Sequence, residues 1–303
     1  MILGIDIGGT TSKLGLVHEC KVIARARIAT IGHADDHAFA DALVRETARL
    51  TTETGHQIKA IGIGAPNANQ LTGIIEMAPN LPWKHDVPLA RMMSDRLGVP
   101  AVLGNDANAA ALGEWRYGAG RGIDDLIVVT LGTGVGSGFI VNGRLVLGSA
   151  GNAGELGHMT LIPGGRACTC GRKGCLEAYV SIRGMLATYQ EAASGPSQGA
   201  STPSDVKTIA DLAHAGDEAA IACFQRTTEW LSMGLANAVC ATGPKRIVLF
   251  GGIARNGDLL MAPLRERFHA NLLNIYQGRV DLTVSALPDD DAALLGAAAL
   301  GTL

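Results

Sequence analysis

The sequence predicts an α/β protein built from two related lobes, with a metal-binding knuckle in the larger one. The chain has 303 residues, and single hydrophobic cores seldom grow beyond that size. A strand, a glycine turn and a second strand occur at residues 5–16 and recur at residues 129–140. One histidine and three cysteines also lie within residues 158–175. The repeat indicates two lobes of similar design, and the cysteine-rich segment indicates the knuckle.

The composition excludes several classes of partner. Forty glycines stand against 5 Phe and 4 Tyr, which is typical of a chain with many tight turns. The formal charge of −3 provides no broad basic surface for nucleic acid. The N-terminus has no secretory leader pattern, and the apolar runs are too short to span a bilayer. We therefore expect a cytoplasmic protein with no nucleic-acid or membrane partner.

The first lobe is predicted to begin with three antiparallel strands, at residues 2–7, 13–17 and 21–29. Residues 34–54 have helical apolar spacing, and Gly55 marks the end of that helix. The remaining elements are a strand at 60–64, a loop at 79–83, a helix at 89–97, a strand at 99–103 and a helix from 107. The last strand and helix place Asn105 and Asp106 at a strand-to-helix junction.

Residues 117–122 have the glycine-rich sequence YGAGRG, and we place the lobe boundary there. Strands are predicted at 126–131, 246–250 and 280–286, a hairpin at 139–147 around Asn142-Gly143, and helices at 181–192, within 205–241 and at 259–273. Residues 192–204 are rich in Ser, Gly and Pro and predict a loop. Asp289, Asp290 and Asp291 are expected to cap a helix at 292–300 that packs on the first lobe. The predicted lobes are residues 1–117 with 290–303, and residues 118–289.

The cysteine-rich segment contains His158, Cys168, Cys170 and Cys175. One His and three Cys form a closed tetrahedral zinc set, and the glycines between them allow tight turns. The segment has few apolar residues, so a bound cation would replace the missing hydrophobic stabilisation. The alternatives are buried thiols or a Cys168–Cys175 disulfide, which requires an oxidising compartment.

Glycine turns follow three apolar strands, at residues 8–11, 132–138 and 251–252. Such turns can direct successive backbone N–H groups at phosphate oxygens, although any one of them can equally be structural. A Rossmann fingerprint is disfavoured because residues 139–141 continue as a strand, and there is no P-loop motif. Asp106 lies where open α/β sheets present ligand-binding groups, and its alternative role is a helix N-cap.

Four motifs carry a resemblance to a known family. These are DIGGT at 6–10, LGTGVGSG at 131–138, GNAGELGH at 151–158 followed by CTCGRKGCLE at 168–177, and LFGGIA at 249–254. The chain resembles the ROK family of sugar kinases, within the actin-like ATPase superfamily. It departs from the family pattern at Thr11, where many relatives have Lys, and at Asn67, a position often held by Gly. The resemblance implies a two-lobed actin-like ATPase fold, which is ribonuclease H-like, with a zinc-binding knuckle in the larger lobe.

The resemblance implies transfer of the ATP γ-phosphate to a hexose hydroxyl, most simply from glucose to glucose 6-phosphate. Asp106 matches the general base, and Asp6 matches the residue that holds Mg²⁺ through water. The implied sugar contacts are Asn80, Asn105, Asp106, Glu155, His158 and Glu177. The implied phosphate and adenosine contacts are Asp6, Gly8, Gly9, Thr10, Thr11, Gly132, Thr133, Gly134, Gly251 and Gly252. The implied Zn²⁺ ligands are His158, Cys168, Cys170 and Cys175.

Other functions stay open at this point. Relatives phosphorylate mannose, fructose, allose or N-acetylmannosamine, although Glu155 favours glucose and its epimers. The family also contains sugar-responsive repressors, and a sugar-binding protein without catalysis is a third possibility. A donor other than ATP, such as polyphosphate, is compatible with the sequence. The resemblance further implies a homodimer.

Overall fold

A computed structural model describes residues 1–193, 203–288 and 291–303 of the chain. Most of the predicted loop at 192–204 lies outside these residues, as do Asp289 and Asp290. The described chain forms two units. Unit 1 contains residues 1–123, 138–154 and 286–303, and unit 2 contains residues 124–137 and 155–285. Residues 138–154, which the sequence analysis assigns to the second lobe, cluster with unit 1.

The N-terminal part of the chain forms a five-stranded sheet, a short two-stranded sheet and their helices. The elements are β1 (Ile2–Ile7), β2 (Thr11–His18), β3 (Lys21–Ala29), α1 (Asp36–Thr54), β4 (Ala60–Ala65), β5 (Ala68–Asn69), β6 (Ile74–Ile75), α2 (Leu89–Leu97), β7 (Ala101–Asn105) and α3 (Asp106–Tyr117). The strand order is β3-β2-β1-β4-β7. The first three strands are antiparallel, as predicted, while β1, β4 and β7 are parallel. The carboxyl ends of β1, β4 and β7 therefore meet at one edge.

The second sheet has the strand order β10-β9-β8-β11-β12. From β8 onwards the elements are β8 (Leu126–Leu131), β9 (Val135–Val141), β10 (Arg144–Leu145), α4 (Glu177–Val180), α5 (Ile182–Ala193), α6 (Val206–His214), α7 (Glu218–Thr242), β11 (Arg246–Phe250), α8 (Gly257–Asn271) and β12 (Asp281–Val284). The chain then returns to unit 1 as α9 (Ala292–Leu300). Asn142 and Gly143 have φ of 51° and 68°, as the predicted hairpin turn requires. Strands β8, β11 and β12 are parallel, so their carboxyl ends also share an edge.

The predicted helical stretch at 205–241 is two helices. Gly216 has a φ of 89°, which ends α6, and the Asp217 side chain accepts a hydrogen bond from Ala220 N to begin α7. Every helix within the described residues is too short or too polar to cross a lipid bilayer.

Helix α9 packs on the first sheet, as predicted, but the prediction that Asp291 caps it is wrong; Asp289 and Asp290 lie outside the described residues. The Asp291 side chain makes no capping bond; its Oδ1 instead accepts from the guanidinium of Arg25, with Nε at 2.9 Å. The helix is apolar on all faces and almost entirely buried. Packing on the strands supplies its stability, so the cap is not required.

Close approach of α9 to the sheet requires glycine at residue 62. A Cβ atom there would lie 1.9 Å from the Ala297 carbonyl oxygen, which is backbone and cannot rotate away. Gly62→Ala is expected to destabilise the protein by about 3 kcal/mol or more in urea unfolding. Gly64→Ala on the same strand is the matched control. Its Cβ would meet nothing closer than 3.4 Å, so a change below about 1 kcal/mol is expected. Equal effects at both positions would contradict the packing argument.

Candidate active site and metal cluster

The structure brings the three predicted cysteine ligands and the histidine together in unit 2. The ligand atoms of His158, Cys168, Cys170 and Cys175 all lie within 4.8 Å of one another. The Cys170 and Cys175 sulfurs are 3.7 Å apart, and the Cys168 sulfur is 3.6 Å from His158 Nδ1. All six cysteines of the chain are free, so the alternative Cys168–Cys175 disulfide is not formed.

These separations fit a tetrahedral zinc ion. Zn–S bonds of about 2.3 Å at tetrahedral angles place two sulfurs about 3.8 Å apart. A Zn–N bond of about 2.0 Å places nitrogen and sulfur about 3.5 Å apart. Burial raises the pKa of the Cys175 thiol to about 12, chiefly by desolvation. A cation that offsets this desolvation would hold the sulfur as a thiolate at neutral pH.

Tight turns bring the cysteines into one cluster. Cys168 N donates to Arg172 O at 2.9 Å, and Gly171 N donates to Cys168 O at 3.1 Å. Gly174 has a φ of 78°, and a Cβ there would lie 1.7 Å from Ile162 O. A side chain is therefore excluded at this residue, which explains the glycine immediately before Cys175.

One ring nitrogen of His158 faces the cysteine cluster, and the other faces Glu155. Its Nδ1 lies at the cysteines, whereas Nε2 is 4.0 Å from Glu155 Oε2. Both residues belong to a short 3₁₀ turn at 155–158, which is held to β9 because Leu156 N donates to Ser137 Oγ at 3.1 Å. The Glu155 side chain is 52 % exposed, so it is accessible to a ligand.

Glu177 is buried and hydrogen-bonded inside unit 2. Its Oε2 accepts from Val135 N at 3.0 Å, and its Oε1 accepts from Thr169 Oγ1 at 3.0 Å. The Cys168 sulfur lies 3.6 Å from Oε1. The residue therefore connects the cysteine cluster to β9, a role that sequence analysis did not predict.

Two glycine turns of unit 2 lie side by side. Strands β8 and β11 are parallel neighbours, with Thr130 opposite Phe250. Gly251, at a φ of 105°, approaches so closely that a Cβ would lie 2.4 Å from Leu131 O. The Gly251-Gly252 turn is thus adjacent to the turn at Gly132, Thr133 and Gly134, and Thr133 is exposed. Their backbone groups are available at one sheet edge.

The first glycine turn lies in unit 1, beside Asn80. Gly8 N donates to Thr11 O at 3.2 Å, and Thr30 Oγ1 donates to Gly8 O at 2.7 Å. A Cβ at Gly9 would lie 2.8 Å from Asn80 O, so the predicted loop at 79–83 packs on this turn. Thr10, Thr11 and Asn80 are exposed.

Asp106 begins α3 at the carboxyl end of β7. Asn105, not Asp106, caps the helix, because its Oδ1 accepts from Asn108 N at 2.9 Å. The alternative role of Asp106 as N-cap is therefore wrong. Asp106 Oδ1 accepts from Ala107 N at 2.8 Å. The Asp106 side chain is accessible to solvent. The surrounding protein still desolvates the carboxylate and so raises the pKa of Asp106, whereas its backbone hydrogen bonds lower that pKa.

Asp6 shares this electrostatic environment within unit 1. Burial raises the pKa of Asp6; Lys13, its cross-strand neighbour, lowers it, and the charge of Asp106 raises it again. A carboxylate whose pKa is raised by the charge of a second carboxylate suits a nearby cation. Lys13 was missed by sequence analysis, although the pairing of β1 with β2 across the predicted turn places it opposite Asp6.

The backbone conformation of Asn67 explains why asparagine can stand at a position often held by glycine in the family. It has a φ of 51°, in the left-handed region that Gly adopts freely and Asn tolerates better than most residues. Thr169 and Val135 are further residues that sequence analysis did not find. A threonine between two cysteines and a valine within a glycine turn carry no local signal of their contact with Glu177.

Two five-stranded sheets, each containing a strand–glycine turn–strand unit, define an α/β protein with the actin-like ATPase fold. The ROK family matches residues 2–302, and the chain belongs to that family, which confirms the resemblance.

Three relatives match over nearly the whole chain. A glucokinase of Thermotoga maritima is 34 % identical, with 99 % of this chain and 96 % of that protein covered. The crystal structure of a ROK family glucokinase from Streptomyces griseus with glucose and AMPPNP has 33 % identity and a TM-score of 0.80, with 99 % of each chain covered. A ROK hexokinase from Thermus thermophilus has 33 % identity and a TM-score of 0.86, with 99 % of this chain and 97 % of that one covered.

Proposed function

We propose that the protein is an ATP-dependent hexose kinase whose principal substrate is glucose. The observation that carries the proposal is Asp106, a carboxylate with raised pKa at the carboxyl end of β7, in the same unit as Asp6 and the first glycine turn. The similarity to glucokinases and to a structure that contains glucose and AMPPNP supports this substrate pair.

In the proposed reaction, Asp106 accepts the proton of the attacking sugar hydroxyl. The hydroxyl oxygen forms a bond to the γ-phosphorus as the bond to the β–γ bridging oxygen breaks, and ADP leaves with that electron pair. The hydrogen bond from Ala107 N to Oδ1 holds the carboxylate at the helix start. This hydrogen bond fixes the orientation of the carboxylate that would accept the proton.

The glycine turns are proposed to hold the nucleotide. Backbone N–H groups at Gly8, Gly9, Thr10, Thr11, Gly132, Thr133 and Gly134 would receive phosphate oxygens, and Gly251 and Gly252 would contact adenosine. Mg²⁺, when bound with ATP, neutralises phosphate charge. Asp6 would hold its hydration shell, which suits a half-buried carboxylate near Asp106.

The sugar site is proposed to contain Asn80, Asn105, Asp106, Glu155, His158 and Glu177. Zinc on His158 Nδ1 and the three cysteines would orient Nε2 towards a hydroxyl beside Glu155. Each carboxylate oxygen has two acceptor sites, so Glu177 can accept a hydroxyl while it keeps its protein donors.

We further propose that the protein is a cytoplasmic homodimer. We also propose that its functional lobes are residues 1–117 with 290–303 and residues 118–289.

A hexose panel tests the proposed function. ADP release is measured with glucose, mannose, fructose, allose and N-acetylmannosamine, each with ATP or polyphosphate as donor. We expect the highest kcat/KM with glucose and ATP. A higher value for another sugar would assign a different substrate. Tight sugar binding without turnover would indicate a sugar-sensing regulator.

The raised pKa of Asp106 predicts the pH dependence of turnover. A base with a raised pKa is still protonated at pH values where an ordinary aspartate, of pKa about 3.9, is ionised. We therefore expect kcat/KM for glucose, which reports the pKa of the enzyme before glucose binds, to rise with pH through a pKa above that value, and to fall as the pH drops below it. The kcat/KM is measured at glucose concentrations below KM, with each sample reassayed at neutral pH to exclude unfolding. An acid limb at or below about pH 4 would contradict the desolvation argument.

A further inference from the structure

The carboxylate of Glu177 lies between the cysteine cluster and the second glycine turn. One oxygen accepts from Val135 N, inside residues 132–138, and the other accepts from Thr169 Oγ1, between two of the cysteines. Glu177 is 8 % exposed; its hydrogen bond to Val135 N is buried, and its hydrogen bond to Thr169 is partly buried. Loss of either donor would leave a buried carboxylate oxygen with fewer partners, which is unfavourable.

Thr169 is the donor that holds Oε1 when the cysteines bind a metal. The Cys168 sulfur lies 3.6 Å from the same oxygen and can donate to it only as a thiol. A metal ligand is a thiolate, which has no proton to donate. The Thr169 hydroxyl, 3.0 Å away, then remains as the donor that fixes the carboxylate.

Helix α4 is attached to the glycine turn at both ends. At its start, Glu177 binds Val135 N; just beyond its end, Ile182 N donates to Gly132 O at 2.9 Å. The turn packs directly on the carboxylate, because a Cβ at Gly134 would lie 2.7 Å from Glu177 Oε2. The position of the turn between Gly132 and Val135 therefore follows the position of α4.

We propose that Thr169 and Glu177 are positioning residues that couple the cysteine cluster to the nucleotide-binding turn. Thr169 fixes Oε1 and so directs Oε2 at Val135 N, which holds the backbone of the turn in the conformation that receives phosphate. The inference rests on the proposed function, in which this turn binds the phosphates of ATP. It extends that function, because the metal cluster then supports nucleotide binding as well as the sugar site.

Thr169→Val and Thr169→Ser test this coupling. Valine keeps the shape of threonine and removes the hydroxyl, whereas serine keeps the hydroxyl. Thr169 is exposed and is not a proposed ligand of zinc, sugar or nucleotide, so both variants are expected to fold and retain zinc. Calorimetry measures the Kd for AMPPNP with Mg²⁺ and, separately, the Kd for glucose. We expect the AMPPNP Kd to rise about three- to ten-fold in Thr169→Val, which is less than the change in Kd expected when a hydrogen bond to a charged group is lost directly from the ligand. In Thr169→Ser we expect the wild-type Kd.

The remaining outcomes separate this inference from the proposed function. Unchanged AMPPNP binding in Thr169→Val, or equal weakening in both variants, would overturn the coupling. A rise in the glucose Kd alone would show that Glu177 acts only at the sugar. Loss of zinc from Thr169→Val would assign the change in AMPPNP binding to the metal site. Either result would overturn the coupling. Wild-type protein that binds no AMPPNP would overturn the proposed function itself, a failure visible before any variant is compared.

Discussion

Asp106→Asn is expected to lower kcat for glucose by about 10²–10⁴-fold, the usual contribution of a general base. Asparagine has nearly the same shape and keeps an oxygen for Ala107 N, but it cannot accept the hydroxyl proton. Glucose affinity, measured by calorimetry, is therefore expected to change little. Unchanged turnover would refute the base assignment.

The same variant gives an independent stability readout. Desolvation raises the folded-state pKa of Asp106, so the folded protein binds that proton more tightly than the unfolded chain does. At a pH above both pKa values, the ionised carboxylate is therefore destabilising. A neutral amide is expected to leave Tm unchanged or raise it, so lost turnover cannot be attributed to unfolding.

Asp95→Asn is the matched control for Asp106→Asn. Asp95 is an exposed aspartate on α2, with Arg91 Nε 3.6 Å from its carboxylate. Such surface pairs contribute little, and we expect wild-type kcat, KM and Tm. A comparable loss of turnover in the control would show that the effect does not depend on the position of Asp106.

The elements that sequence analysis placed well are those with local signals. Helix α1 ends at Gly55 and helix α2 at Gly98, both with a φ of 67°, because left-handed backbone at a helix end favours glycine. The break at Gly216 was missed because helical apolar spacing occurs on both sides of it. A glycine inside such a pattern is tolerated often enough that it does not by itself predict a helix end.

Sequence analysis named the histidine and the three cysteines that the structure brings together, but it did not predict the hydrogen-bond partners of the other candidate residues. The choice between Asn105 and Asp106 as helix cap depends on backbone angles, since both side chains are good caps. Asn105 has the extended backbone of a cap, with ψ of 152°, which leaves Asp106 inside the helix. Glu177 and Asp291 differ from expectation for another reason. Their partners Val135 and Arg25 are 42 and 266 residues away, and only the folded chain brings them together.

Cys170→Ser is expected to release zinc and weaken glucose binding. Its sulfur lies 3.7 Å from that of Cys175, and a serine hydroxyl is a poor zinc ligand. The loss of zinc affinity should exceed the roughly 10–100-fold effect of removing an outer-shell partner. His158 presents Nδ1 to the cluster and Nε2 to Glu155, so loss of the ion frees the imidazole and is expected to raise the glucose Kd about ten-fold or more. Metal analysis after dialysis and calorimetry with glucose measure the two effects.

Cys240→Ser separates this effect from the removal of any exposed thiol. Cys240 is also exposed and free, but it lies on α7 and is not part of the cluster. We expect this control to keep its zinc, its glucose Kd and its Tm. A full complement of zinc in Cys170→Ser would remove Cys170 from the ligand set. Loss of zinc with unchanged glucose affinity would show that the ion stabilises the knuckle without orienting His158 for the sugar.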